Sequence, residues 1–395
     1  MMAPEQLGYP LEGLKVLDFS RVLAGPFAGR MLSDLGAEVV KIEPPEGDSS
    51  RLWGKTTAGI SGYFNMINAG KRGISIDLRA EGAPDLVLAL VKHADVVLEN
   101  FRPDVMPRLG IGYERLASVN PRLIMLSISG FGRDGPESQR PAYAPIVHAE
   151  LGLIDRVVRQ RGVKIDLPLS VADTNAGLHG LVALLSAVIM RARTGLGQHI
   201  DLSMMDATLV SDDQFHFEIE DAEATRNLPP DIWDTGVGAI LVSVDFRWLW
   251  KLLTSEFGVI DPVTADMALD AKIAARREAV ADFMMGLSSW DAVEQTMAKM
   301  NLAWGRVRSG KSLREQPTLA FRKSVIDIDD RAGGVRPMVQ TPYRFSQAAA
   351  GVRGPAPHKG EHNADILRSW LGLSDADIAA LLSRGILTRD EDRAG

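Results

Sequence analysis

Apolar residues first gather in a short run from Leu14 to Phe19 (LKVLDF), pause at SRVLAGP, resume at helical spacing in FAGRMLSDL, stop at Gly36 and return in AEVVKIE. Unbroken apolar runs of this length predict buried strands, and the spaced set between them predicts a helix. The alternation continues in GISIDL, the helical stretch EGAPDLVLALVKHA, the strand DVVLEN and then RLIMLSIS. Strands joined through helices build a largely parallel sheet covered by helices, so the pattern predicts an α/β fold. Residues Thr174 to Arg193 read as a long buried helix, TGLGQ as its turn and HIDLSM as the next strand.

Between about Asp221 and Pro230 the chain turns polar and ends in NLPP. This predicts a domain boundary, with a second domain starting near Asp231. That domain mixes a strand, AILVSVD, with the helical pieces FRWLWKLLTSEFG and SSWDAVEQTMAKM, then a basic segment around Gly310 to Lys323. Near the C-terminus, two short helices with acidic starts at Glu361 and Asp375 are expected.

Composition adds limits. The chain has 395 residues, 46% of them hydrophobic and 24% charged, which is material for more than one core. A net charge of -7 gives no basis for wrapping nucleic acid, although local basic clusters can hold a phosphate-bearing small molecule. The absence of cysteine excludes disulfides, thiolate catalysis and cysteine-ligated metals. The N-terminal residues show no basic start followed by an apolar run, and the longest apolar stretch, around Leu181 to Met190, is too short to span a bilayer. A cytoplasmic protein with no membrane partner is the expectation.

Several positions have the chemistry for a site. Asp173, in SVADTNAGLHG, stands just before the long apolar helix, where unpaired N–H groups and the helix dipole favour a carboxylate. Spacing leaves two roles open, a helix cap or a nucleophile. The SRVLAGP turn has the position of a ligand loop beyond a strand, yet no G-x-G-x-x-G or G-x-x-x-x-G-K-[ST] motif is present. Lys71 and Arg72 in NAGKRG, and Arg102 and Arg108 in NFRPDVMPRLG, sit beside strands where phosphates bind; singly each also reads as a solvated charge. His358 and His362 form the only close histidine pair, but Gly360 between them favours a turn, so no metal is assigned. No G-x-S-x-G elbow supports serine hydrolysis.

Taken together, LEGLKVLDFSRVLAGPFAGRMLSDLGAEVVKIEPPEGD, NAGKR, DVVLENFRPDVMPRLGIGYERL, NPRLIMLSISGFGRDGP, and ADTNAG with TGLGQHIDLSMMDA closely resemble the class III CoA-transferase family, which includes formyl-CoA and carnitine CoA-transferases and α-methylacyl-CoA racemase. The resemblance is dense from Leu11 to about Ala207 and returns in PAPHKGEHNADILRSWLGLSDADI. It implies a large Rossmann-like parallel-sheet domain built from both chain ends and a smaller α+β middle domain, divided here as 1–225, 226–325 and 326–395. It also implies two chains interlocked as a homodimer.

In that family an Asp at the position of Asp173 attacks an acyl-CoA thioester, and coenzyme A is a substrate that becomes covalently attached. The resemblance implies CoA contacts at Arg21, Val22, Leu23 and Ala24, at Asn68, Lys71 and Arg72, and at Asn100, Phe101, Arg102 and Arg108, with Phe101 or nearby backbone packing the adenine. The racemase branch places a His where Tyr143 stands here, so transfer of CoA from an acyl-CoA to a carboxylic acid is favoured over proton exchange. An acid that often follows that Tyr is replaced by Ala144. Substrate-side candidates are Tyr143, His148, and Gly236 and Gly238 of DTGVG, the nearest counterpart of a glycine-rich flap. The alternatives are a racemase or isomerase, which incorporates solvent deuterium, and a catalytically silent CoA-binding homologue.

Overall fold

In a computed structural model that describes residues 8–220 and 231–389, the N-terminal apolar runs become the strands β1 (Lys15–Asp18), β2 (Glu38–Glu43), β3 (Arg72–Ser75), β4 (Val96–Glu99), β5 (Ile124–Ser129) and β6 (Gln198–Ser203). They form one six-stranded sheet in the order β3-β2-β1-β4-β5-β6. Every neighbouring pair is parallel. This is the doubly wound Rossmann order. The direction of winding reverses between β1 and β4, so the loops leaving those two strands part and open a crevice at their carboxyl ends.

The strands are apolar on both faces because both are covered. Successive residues alternate between two cores: Leu17, Val40 and Val97 face one, while Val16, Val39 and Leu98 face the other. With α2 (Gly62–Asn68) between β2 and β3 in the chain, the first core is closed by α3 (Ala83–Val91) and by two C-terminal helices, Asn363–Leu371 and Asp375–Ser383. The second is closed by α1 (Ala24–Asp34) and α5 (Val171–Thr194). Each fully buried Val or Leu contributes about 1.5–3 kcal/mol relative to exposure.

Glycine decides how closely α1 and α5 approach. A Cβ on Gly177 would lie 2.8 Å from the Phe27 ring and 2.9 Å from the Ala24 carbonyl oxygen. Only a bare backbone permits that contact, which brings the first turn of α5 against the first turn of α1.

Helix α5 is longer and more apolar than its densest hydrophobic run suggests. It spans 24 residues, with a mean hydropathy of 1.4 in its most apolar window. Length and composition would therefore let it cross a bilayer, contrary to the reading of Leu181 to Met190 alone; small and polar residues such as Asn175 and His179 dilute the run without shortening the helix. One face packs in the core through Ala176, Leu184 and Ala187, and Arg191 pairs with Asp95 at 3.0 Å.

The chain divides into two compact units, Met1–Asp213 with Ala320–Gly395, and Gln214–Leu319. The polar stretch from Asp221 to Pro230, where a boundary was expected, lies outside the described residues. The smaller unit has a three-stranded antiparallel sheet, Asp231–Thr235, Gly238–Val242 and Trp304–Arg306. Helices Phe246–Phe257, Leu269–Met285 and Trp290–Met300 close its own core around Ile240, Leu253, Met284 and Met297. In the larger unit, the hairpin Val325–Asp329 with Val335–Val339 and the helix α4 (Ala144–Glu150) go beyond the sequence-based expectations.

Candidate active site

Asp173 is not a cap. Helix α5 begins at Val171 with Ser170 as its N-cap, which makes Asp173 the third residue of the first turn, with 8% of its surface exposed. The contact licensed by Gly177 carries this turn to the start of α1, where the Ala24 N–H donates to the carboxylate. The Ala144 N–H at the start of α4 donates to Oδ2 at 3.3 Å. Two neighbouring helix starts therefore supply N–H donors to one carboxylate.

Among the described residues, no cation is bonded to it. Burial pushes the Asp173 carboxyl up to about 6; the Ala144 and Ala24 N–H groups and His148 only partly oppose that rise. The helix-start argument for a pre-ionised carboxylate thus needs correcting. Loss of water outweighs the helix donors, and the group keeps a proton more readily than an exposed Asp.

Asp173 lines a cavity of 390 Å³ at the crevice between the β1 and β4 loops. Arg21, Val22, Ala24, Asn100, Phe101, Arg102 and Tyr143 line it with Asp173. A second cavity of 450 Å³ shares Arg21, Phe101 and Arg102 and adds Arg108, Arg79 and Lys41. The Arg21 guanidinium lies 5.6 Å from the centre of the Phe101 ring. Among the described residues, neither Arg21 nor Arg102 forms an ion pair. Arg108 pairs with Asp104 at 3.0 Å on the surface.

The two loops are tied together by Asn100. Its Oδ1 accepts from the Arg21 N–H at 2.8 Å, and its Nδ2 donates to the Arg21 carbonyl at 2.8 Å. The next N–H, of Val22, donates to Asp48 Oδ2 at 3.2 Å. Both ends of the Arg21–Val22 peptide are thereby held. Val22 sits at a φ of 69°, a left-handed conformation that costs a β-branched residue about 1–3 kcal/mol, and these bonds keep it there.

Asn68 and Lys71 occupy a different place from the one expected of phosphate ligands. Both are buried, and the Lys71 ammonium donates to Asp18 at 2.7 Å, to the Pro26 carbonyl at 2.9 Å and to Asn68 Oδ1 at 2.9 Å. With all three protons taken, it supports the underside of α1 instead of facing a cavity. Lys41 is buried beside it, bonded to Asp48 at 3.0 Å and to the Ser20 carbonyl. Arg72 lies on β3, paired with Glu38 at 3.0 Å, and neither it nor Leu23 lines either cavity.

His148 is buried on α4, four residues after Ala144. Its Nδ1 meets Asp166 at 2.8 Å and its Nε2 has no hydrogen-bond partner among the described residues. Gly236 and Gly238 belong to the smaller unit, in the tight turn of its hairpin. There the Thr235 hydroxyl donates to the Gly238 carbonyl at 2.6 Å, and a Cβ on Gly236 would meet the Leu287 carbonyl oxygen at 3.0 Å.

Sequence reasoning missed the donors that matter most to Asp173. Backbone N–H groups leave no side-chain signature, and Pro145 just after Ala144 was the one signal that a helix begins there. Asp48 and Glu99 also escaped notice, since an acid in GDSSR or at the end of DVVLEN reads as surface charge until its burial is known.

A buried carboxylate with, among the described residues, no bonded cation thus lines a cavity at the switch point of a doubly wound sheet, beside Arg21 and Arg102. The chain belongs to CoA-transferase family III, whose pattern it matches over residues 11–363. It is similar to the succinyl-CoA–D-citramalate CoA-transferase of Chloroflexus aurantiacus, with 31% identity over 98% of this chain and 100% of that protein. It is also similar to the succinate–glutarate CoA-transferase of Agrobacterium fabrum, with 31% identity over 91% of this chain and 95% of that protein. Among solved structures, a CAIB/BAIF family protein from Brucella suis superposes with a TM-score of 0.79 at 32% identity, covering 92% of this chain and 100% of that one.

Proposed function

We propose that this enzyme moves CoA from an acyl-CoA thioester to a carboxylic acid, with Asp173 as the nucleophile. The observation that carries the reading is a carboxylate on the cavity wall with N–H donors but no bonded cation. The names of the relatives, one pairing succinyl-CoA with D-citramalate and the other succinate with glutarate, support it.

The ionised Asp173 attacks the thioester carbonyl and expels CoA thiolate, giving an acyl-aspartyl anhydride. The thiolate attacks the aspartyl carbonyl, frees the donor acid and leaves an aspartyl-CoA thioester. The acceptor carboxylate attacks that thioester, forming a second anhydride and releasing thiolate again. Attack of the thiolate on the new acyl carbonyl gives the product and restores Asp173. The same burial that raises the carboxyl's proton affinity keeps water from the anhydride. The Ala24 and Ala144 N–H groups stabilise the carboxylate each time it is regenerated.

Arg21, Arg102 and Arg108 would hold CoA phosphates and Phe101 the adenine, across the two cavities. Asn68 and Lys71 would act from beneath, by holding α1. A second copy of the chain would cover the outer face of α5, where Leu178, Val182, Ile189 and Met190 are exposed although the helix is apolar. Intact-protein mass spectrometry after incubation with a panel of acyl-CoAs tests the chemistry. A CoA-sized adduct should form on the parent and be absent from Asp173→Asn; an adduct that persists in the variant rules out this nucleophile.

A further inference from the structure

Glu99 closes β4 directly before the loop that carries Asn100, Phe101 and Arg102, and it is completely buried. Its Oε2 accepts from the Phe101 N–H at 2.7 Å, and its Oε1 accepts from Arg133 Nη1 at 3.2 Å. The other arm of the same guanidinium, Nη2, donates to the Pro103 carbonyl at 3.2 Å. The Arg133 N–H is in turn held by Asp201 at 3.2 Å, beside the end of β6. One carboxylate and one guanidinium therefore grip both ends of the loop whose side chains line the two cavities. Glu99 lines neither cavity, so it touches no ligand.

We propose that Glu99 and Arg133 are positioning residues that set CoA affinity, Glu99 in its ionised form clamping the Asn100–Pro103 loop through Arg133. The inference rests on the reading of this site as a CoA site. The charged groups around Glu99 are Arg133 from the loop after β5 and Asp201 from β6; the neutral Ser127 hydroxyl from β5 also faces it and meets His199 at 2.9 Å. Burial dominates over the Ser127, Phe101 and Arg133 contacts and pushes the Glu99 carboxyl up to about 7, with Asp201 adding to the rise. Protonation below that pH removes the charge that orients Arg133 and weakens the hold on the Phe101 N–H. CoA affinity should fall as pH drops through about 7.

The test is calorimetric titration with CoA in the Asp173→Asn background, where chemistry plays no part, at about pH 6 and about pH 8. Glu99→Gln keeps the size and an acceptor for Phe101 but loses the charge. It should bind CoA about tenfold more weakly than the parent at the higher pH, the scale of one charge-assisted hydrogen bond, and by a similar amount to the parent at the lower. Comparing parent and variant cancels the titration of CoA's own phosphate. Arg133→Met, at a partly exposed position, should weaken CoA binding in the same way and flatten the same pH step, which keeps the test open should Glu99→Gln fold poorly. A constant affinity ratio between parent and both variants across pH, or unchanged affinity, overturns the positioning role alone. Failure of the parent to bind CoA at either pH overturns the CoA reading and this inference with it.

Discussion

Asp18 and Asp173 are both buried aspartates, one at the end of β1 and the other at the start of α5, yet they have opposite electrostatic surroundings. Burial works against the Asp18 charge, but Lys71 at 2.7 Å and nearby Lys41 outweigh it and hold the carboxyl below its ordinary value. Asp173 has N–H donors in place of bonded lysines, and burial pushes it up to about 6. A salt-bridged carboxylate has its lone pairs spoken for and supports the sheet. A carboxylate held by two N–H groups keeps lone pairs for a substrate. In the proposed mechanism, reactivity follows from the company each acid keeps, since their burial is nearly alike.

The sharpest way to break that contrast is to neutralise each acid in turn. Asp173→Asn should lower kcat by about 10³-fold or more in a steady-state CoA-transfer assay while the protein stays folded. Asp18→Asn should keep the adduct but lose about 3–5 kcal/mol of stability in urea unfolding, because Lys71, which burial already pushes down to about 8, loses the carboxylate that favours its charge. Equal stability losses in the two variants would erase the distinction.

A smaller effect has the reverse sign. The Asp173 carboxyl is raised in the folded chain, so the native state binds more protons than the unfolded state between the ordinary value near 3.8 and about 6. Stability therefore declines as pH rises through that window, and above it ionised Asp173 costs about 3 kcal/mol. Asp173→Asn should consequently be more stable than the parent at pH 8 by up to that amount, with the gain vanishing near pH 4. In kinetics the same group should make kcat/KM fall about tenfold per pH unit below about 6, as nucleophile is lost to protonation. A flat profile there would place the ionisation elsewhere. The mildest change is Val22→Gly, which relieves the left-handed φ but frees the turn. Its melting temperature should stay within about 2–4 °C of the parent while kcat/KM falls severalfold.

The sheet was legible in the sequence because runs such as LKVLDF and RLIMLSIS are apolar on both faces, which only a doubly covered strand requires. Helix α4 was not, since APIVHAE is short and opens on Ala and Pro with no capping side chain. Asp173, Arg21, Asn100, Phe101 and Arg102 do converge on one cavity, and each stood in a motif that could be quoted from the chain. The roles of Lys71 and Asn68 were beyond reach because they depend on Asp18, a partner 53 residues from the lysine. The direction of the Asp173 shift was equally hidden: a helix start is visible in sequence, whereas the exclusion of water that outweighs it is a property of the packed molecule.

The paired hydrogen bonds between the Asn100 amide and the Arg21 backbone act as a gauge block. They set the width of the crevice by one side chain's reach, independently of whatever residues decorate its walls. Descendants of this fold can therefore exchange wall residues such as Tyr143 to suit a new ligand without resizing the opening. Change at Asn100 itself would alter the aperture for every ligand at once.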